Sequence, residues 1–279
     1  MNFKKLLFSF LCLLFITNTQ AQQMVRKVRK ITGNKKGDIT VLWGWNRGWY
    51  TNSDIHFKGD NYDFTLSDVV AKDRQTKFDP AIYFHPHWIT IPQTNFRIEY
   101  FHKENYSMSL GVDHMKYVVQ QNQNVAITGS IEDSDTPYDG DYNNETINIE
   151  DGFLRFEHSD GLNYINFEYR RFDNLVKYKN WNLNIAEGLG TGFLLPRTNA
   201  TLFNNKRHDE FHLAGYGFNA VVALNLSYKR FFIQSELKGG FFNMPDIRTT
   251  EHKSDRASQH FSFTQLNFLV GYSFNLNKD

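Results

Sequence analysis

From residue 38 onward, apolar and polar side chains alternate with a period of two, and no later apolar run approaches the length a helix needs to cross a bilayer. Strand-like alternation is strongest over 212–228. One face carries Ala214, Tyr216, Phe218, Ala220, Val222, Leu224, Leu226 and Tyr228; the other carries Gly215, Gly217, Asn219, Val221, Ala223, Asn225 and Ser227. The stretch 181–195 sets Trp181, Leu183, Ile185, Leu189 and Phe193 against Asn182, Asn184, Gly188, Gly190 and Gly192. The stretch 262–276 sets Leu266, Phe268, Val270, Tyr272 and Phe274 against Gln265, Asn267 and Gly271. Four shorter stretches, 39–45, 93–101, 106–118 and 230–243, follow the same rule.

Alternation alone does not say which face is inside. The polar face is rich in glycine and charge, which suits a narrow enclosed interior better than a watered surface. The apolar face then meets lipid. This predicts an all-β, closed, antiparallel up-and-down transmembrane barrel over 38–279. In 153–172 the apolar positions shift by one, from Leu154 and Phe156 to Ile165, Phe167 and Tyr169, around Ser159-Asp160-Gly161. A β-bulge or a hairpin would each produce such a shift. Short connections at 103–105, 173–180 and 228–229 and long ones at 120–150, 197–210 and 244–259 fall on opposite sides only if the stretch is one bulged strand. That gives eight strands. If the pieces 54–58 and 62–67 in the long first loop also reach the membrane, the count rises to ten, and to twelve with further loop pieces. The Asp-, Asn- and Gly-rich stretch 132–148 is expected to be mobile and water-facing.

The N-terminus supplies the address. Two lysines precede an apolar run from Leu6 to Thr17, and Thr19-Gln20-Ala21 places small residues at a cleavage site. Those are the parts of a secretory signal peptide, expected over 1–21 with cleavage after Ala21 and a periplasmic segment over 22–37. The lone cysteine, Cys12, lies in the apolar run. The mature chain would therefore have no disulfide, thiolate metal site or cysteine nucleophile. A net charge of +1 over 22% charged residues offers no nucleic-acid surface. The expected location is a bacterial outer membrane. The expected partners are its lipid, including lipopolysaccharide, the barrel-assembly machinery during biogenesis, and other outer-membrane proteins.

Several side chains suggest chemistry. Arg97, Glu99, Arg155, Glu157, Glu168, Arg170, Glu236 and Lys238 fall on the predicted lumen face. Charges in a narrow barrel must pair, so they predict an ion network that fills the lumen, or alternatively the lining of a small pore. His158 and Ser159 beside the phase shift, with Glu168 further along the strand, form a conceivable base, nucleophile and orienter, provided the bulge re-aims one of them. Asp113-His114 and His85-Pro86-His87 lack a third ligand at fixed spacing; no metal or cofactor is expected. Trp43, Trp45, Trp49 and Tyr50 read as an interfacial aromatic belt.

The phrases Ser53-Asp54-Ile55-His56-Phe57, Asp113-His114-Met115-Lys116-Tyr117, His158-Ser159-Asp160-Gly161-Leu162-Asn163-Tyr164 and Glu236-Leu237-Lys238-Gly239-Gly240 make the chain resemble outer-membrane β-barrel proteins of Bacteroidota-type bacteria. That resemblance implies location and fold, and transfers no reaction. Locally, His158-Ser159-Asp160-Gly161 resembles the His/Ser region of outer-membrane lipid A deacylases, which would imply lipid hydrolysis at His158, Ser159 and Glu168. The spacing to Glu168 departs from that family's pattern. A structural or interaction barrel leads these expectations, ahead of a lipid A-modifying hydrolase and a small pore.

Overall fold

The computed structural model describes residues 34–275 apart from 86–87, 89–90 and 204–207; the signal peptide and most of the segment 22–37 lie outside the described residues. In chain order the strands are β1 (Asp38–Tyr50), β2 (Ser53–Lys58), β3 (Tyr62–Val69), β4 (Ala71–Lys72), β5 (Thr94–Lys103), β6 (Tyr106–Val119), β7 (Gln123–Ile131) and β8 (Gly140–Ile149). They continue with β9 (Leu154–Tyr178), β10 (Trp181–Leu194), β11 (Arg197–Leu202), β12 (His208–Phe211), β13 (Gly215–Tyr228), β14 (Phe231–Arg248) and β15 (Arg256–Asn275). One short helix, α1 (Pro80–Tyr83), precedes β5.

Eight of these strands close a ring in the order β1-β5-β6-β9-β10-β13-β14-β15. The ring is sealed by antiparallel pairing of β1 with β15, from Asp38↔Asn275 to Tyr50↔Phe263. At one end the strands are joined by tight turns in which Asn105, Lys179 and Lys229 take φ of 66°, 52° and 55°. Positive φ matches the turn to the right-handed twist of its strands. All long connections leave from the other end, so that end is the extracellular one.

The outer wall is apolar. Leu110, Leu189, Phe193, Phe218, Leu224, Leu237 and Phe268 all point away from the barrel and are exposed. The inner wall is polar and buried, with Glu168, Arg170, Lys238, Gln265 and Asn267 at 0% exposure. Among the described residues no helix is long and apolar enough to cross a membrane.

A strand crosses a bilayer in about 10 residues, yet β9 runs for 25 and β15 for 20. The surplus rises above the membrane and carries a second structure. The pieces over 54–58 and 62–67 become β2 and β3, but they do not join the ring. They continue a sheet from the upper end of β15 in the order β15-β2-β3-β7-β8. The barrel therefore has eight strands, not ten or twelve. The stretch 132–148 is water-facing, as its composition suggests, but much of it is β8, paired with β7 from Ile131↔Gly140 to Gln123↔Ile149. Across from this sheet, β11 and β12 extend from the upper end of β9.

One expectation fails instructively. The chain 153–172 is a single bulged strand, but its faces do not exchange. Met115↔Leu162 is followed by Tyr117↔His158, so β9 spends four residues where β6 spends two. Two extra residues preserve parity. Phe156 and His158 face inward like Asn166 and Glu168, and all four are buried. Along β9 it is the chemistry of the interior that changes.

Candidate functional site

Two regions could carry function: the lumen and the extracellular cap. At the centre of the lumen the cations Arg97, Arg170 and Lys238 meet the carboxylates Asp113, Glu168 and Glu236. Arg97 reaches Glu168 at 3.0 Å and Lys238 reaches it at 2.8 Å. Arg170 bridges Glu168 to Glu236, each at 2.5 Å, and Lys238 lies 2.5 Å from Asp113. Amides fill the remaining acceptor sites: Asn219 and Asn267 donate to Glu168 and Glu236 at 3.0 and 2.9 Å. Glu99 stands lower, accepting from the Ser107 and Thr40 hydroxyls at 2.7 and 3.1 Å. Satisfying every carboxylate in this way is what makes buried ions tolerable. Glycine makes the room: a Cβ on Gly188 would lie 2.7 Å from Arg170 Cγ, and one on Gly190 2.5 Å from Glu168 Cγ.

Apolar side chains pack on both sides of the network. Toward the periplasm lie Phe101 with Phe172, and Leu42 with Phe232 and Leu269. Toward the outside lie Tyr164, Phe242 and Phe263, with the Phe242 and Phe263 rings stacked at 4.2 Å. The centre of the lumen is filled by the ion network, and below it a polar pocket lined by Asp38, Thr40, Glu99 and Asn225 opens at the periplasmic mouth.

Above Phe242 and Phe263 the interior becomes a hydrophobic core. Phe57 of β2 stacks on Phe64 of β3 at 5.2 Å and meets Phe156 of β9 edge-on at 5.5 Å. Ile55, Leu66, Ile127 and Phe153 complete a core with 0% exposure. A polar clamp ties this cap to the barrel. Gln259 of β15 accepts from Tyr117 and Ser53 hydroxyls at 3.0 and 3.3 Å. Its amide faces His158 Nε2 at 3.4 Å, while His158 Nδ1 lies 3.0 Å from Thr198 Oγ1. That pattern fits a neutral imidazole protonated at Nδ1. Burial, with a smaller contribution from His212, pulls the His158 pKa down to about 3.

The residues singled out in the sequence divide between these regions. Arg97, Glu99, Glu168, Arg170, Glu236 and Lys238 are in the lumen. Arg155 and Glu157 are not: they point outward from the cap, Arg155 to Asp151 at 2.7 Å and Glu157 to Arg74 of the first loop. The preserved parity of β9 puts them there. Asp113 belongs to the network; its i+2 spacing from Ser109 and Gly111 on the polar face was the signal for it.

The structure does not bring His158, Ser159 and Glu168 together. His158 faces the cap core, Ser159 donates to Glu157 at 2.7 Å, and Glu168 lies in the central lumen. His158 and Glu168 are buried inside, and Ser159 is partly exposed on the outer side of the strand. Tyr117, Thr198 and Gln259, which do meet His158, and Ser53, which bonds Tyr117 and Gln259, are scattered over the sequence with no local motif. His114 Nδ1 lies 2.8 Å from Asn163 and His85 stacks on Trp88; Pro86 and His87 lie outside the described residues. Tyr50 is drawn into the cap, its hydroxyl donating to the Lys116 carbonyl at 2.8 Å, so it is not part of a belt with Trp43, Trp45 and Trp49.

No family model matches the chain, and no curated protein matches it. Solved structures do resemble it. The outer membrane protein AlkL, determined in lipid bilayers, is 11% identical over 90% of this chain and 96% of its own, with a TM-score of 0.40. OprG of Pseudomonas aeruginosa is 10% identical over 88% and 100%, at 0.38. Ail of Yersinia pestis is 8% identical over 86% and 99%, at 0.32. Each likeness is slight, and the sealed ring with its apolar outer wall decides the matter by itself. The chain is a transmembrane β-barrel of the outer-membrane type.

Proposed function

We propose that the protein is a non-conducting outer-membrane barrel of a Gram-negative bacterium, exported by a signal peptide cleaved after Ala21, that holds a folded β-cap at the cell surface. Its role is structural or interactive. The observation that carries this reading is the contrast between a lumen filled by the Arg97–Glu168–Arg170–Glu236–Lys238 network and an extracellular end built as an independent apolar core. A filled barrel serves as a pedestal; an ordered cap presents a fixed surface. Lipopolysaccharide would surround the outer half of the wall, the barrel-assembly machinery would insert it, and neighbouring outer-membrane proteins are the partners such a surface suits.

The pore and hydrolase readings ask for features the geometry opposes: an open channel through the packed centre of the lumen, and a meeting of Ser159, His158 and Glu168. Planar-bilayer recording distinguishes the first. Silence is expected for the purified protein, and stepwise conductance lost in E236Q would overturn the proposal. For the second, lipid A mass spectra of cells expressing wild type and S159A should coincide. A deacylated species present only with wild type would establish the enzyme instead.

A further inference from the structure

Strands β2, β3, β7 and β8 expose no large hydrophobic side chain among the described residues, as befits a surface in water. The first loop breaks this rule between β4 and β5. Phe78 is 71% exposed, Phe84 59%, and Trp88 and Ile91 42% each. Four large apolar side chains on one short segment are not scattered surface residues.

The position of the segment explains them. It leaves the cap after β4, whose Ala71 and Lys72 pair with Val119 and Val118 of β6, and returns to the wall at Thr94. On the way it lies against the outside of the barrel. Phe84 and Tyr83 meet Trp45 at 5.3 and 5.9 Å. Trp45 belongs to the outward face of β1, beside Trp43, which is level with the exposed Phe96 of β5. The apolar surface of Phe84 is thus continuous with the lipid-facing wall.

The segment is also fixed in place. Lys116 donates to the Ile91 carbonyl at 2.6 Å and to Thr76 at 3.3 Å, the Tyr83 hydroxyl donates to the Thr76 carbonyl at 2.7 Å, and Asp73 accepts from the Gly48 amide at 3.0 Å. Exposed Arg47, Lys72 and Lys77 stand around it, while Asp79 turns its carboxylate to the Ala81 amide at 2.9 Å. Phe84 against the wall, with Phe78, Trp88 and Ile91 exposed on the same short segment and cations near them in the chain, matches the boundary between acyl chains and anionic headgroups.

We propose that the first-loop segment around α1 is an interfacial anchor, with Phe78, Phe84, Trp88 and Ile91 immersed in the outer leaflet beside β1 and β5. It holds the cap at a fixed height and tilt on the membrane. The proposal rests on the transmembrane reading of the barrel and extends it to a loop outside the ring.

Spin labels test it. In a C12S background, single labels are placed at F84C, F78C, L224C on the wall, and E145C on the cap. The full-length protein is folded into vesicles of phosphatidylcholine with phosphatidylglycerol, and collisions with oxygen and with a water-soluble nickel chelate are compared. The oxygen-to-nickel ratio at F84C and F78C is expected to follow L224C and to exceed that at E145C several-fold. If F84C and F78C match E145C while L224C does not, the anchor is refuted and the barrel stands. If L224C also matches E145C, the transmembrane reading itself falls. Dipolar broadening at F84C that disappears on dilution with unlabelled protein would assign the patch to a second copy and overturn the proposal.

Discussion

The barrel and the cap share strands but are built inside out with respect to each other. β15 shows the exchange on one continuous inward face: Ala257, Phe261 and Phe263 line the cap, then Gln265 and Asn267 line the lumen. β9 does the same, from Phe156 through Tyr164 to Asn166, Glu168 and Arg170. The side chains that face inward keep the same parity throughout. What differs is the medium on the other side of the wall. Where lipid surrounds the ring, the apolar residues are outside and the interior is ionic. Where water surrounds the cap, the hydrophobic effect puts them inside. Stability in the first region rests on satisfied polar contacts, in the second on buried apolar area.

This difference can be broken by mutation. The largest effect is expected from R170M, which takes the ion-pair partner from Glu236 and leaves Glu168 with Arg97 and Lys238. Removing one partner of a buried ion pair costs about 3–5 kcal/mol, and the urea midpoint for unfolding from phospholipid vesicles should fall accordingly while the cap packing around Phe57 is unaffected at low urea. An unchanged midpoint would show that the network contributes only filling. L66A acts on the other region. A buried leucine truncation costs roughly 2–5 kcal/mol, and here the loss should be local: amides of β2, β3 and β7 should exchange faster while those of β13 and β14 keep their protection. Uniform acceleration would mean that cap and barrel unfold as one unit.

A matched pair sharpens the contrast. Leu224 and Glu145 both face away from the chain's interior. An arginine at mid-wall costs about 2–4 kcal/mol, so L224R should be markedly less stable in vesicles, whereas E145R on the watered cap should stay within about 0.5 kcal/mol of wild type. Equal responses would contradict the assignment of lipid to one and water to the other.

The smallest effect concerns the clamp. The folded pKa of His158, about 3, lies below its unfolded value near 6.5. The unfolded state therefore binds the proton more readily, so the contribution of a neutral His158 is complete above pH ~6.5 and is lost as pH falls toward ~3. Near-ultraviolet circular dichroism of the cap aromatics in urea, followed from about pH 7 to 4.5, should show wild type weakening more than H158Q. Parallel pH curves would mean that His158 is not held neutral by the cap.

Much of the barrel was readable in advance. The eight ring strands, the tight turns at one end and the long connections at the other follow from alternation and spacing, which are local. Gly188 and Gly190 could be read as room for large neighbours for the same reason. The site was less accessible. Glu168, grouped with His158 although further along the strand, sits in the lumen because β9 is long enough to carry the two to different heights of the same inward face. Arg155 and Glu157 repeat the i, i+2 spacing of the lumen charges, yet fall on the opposite face of β9, where Arg155 is exposed and Glu157 is covered by Arg74. The clamp of Ser53, Tyr117, His158, Thr198 and Gln259 draws on five separate strands, so no stretch of sequence contains it.

The sequence by itself determined the period of two and the length of each crossing, because a pleated backbone sends successive side chains to opposite faces whatever surrounds it. It also determined that one face is apolar and the other rich in glycine and charge. Only the tertiary structure decided which of those faces is enclosed at each height, how far β9 and β15 rise above the bilayer, and that β2, β3, β7 and β8 fold over an apolar core there. Those outcomes depend on which strands close on one another and which medium touches the result, and both are set by contacts between residues far apart in the chain.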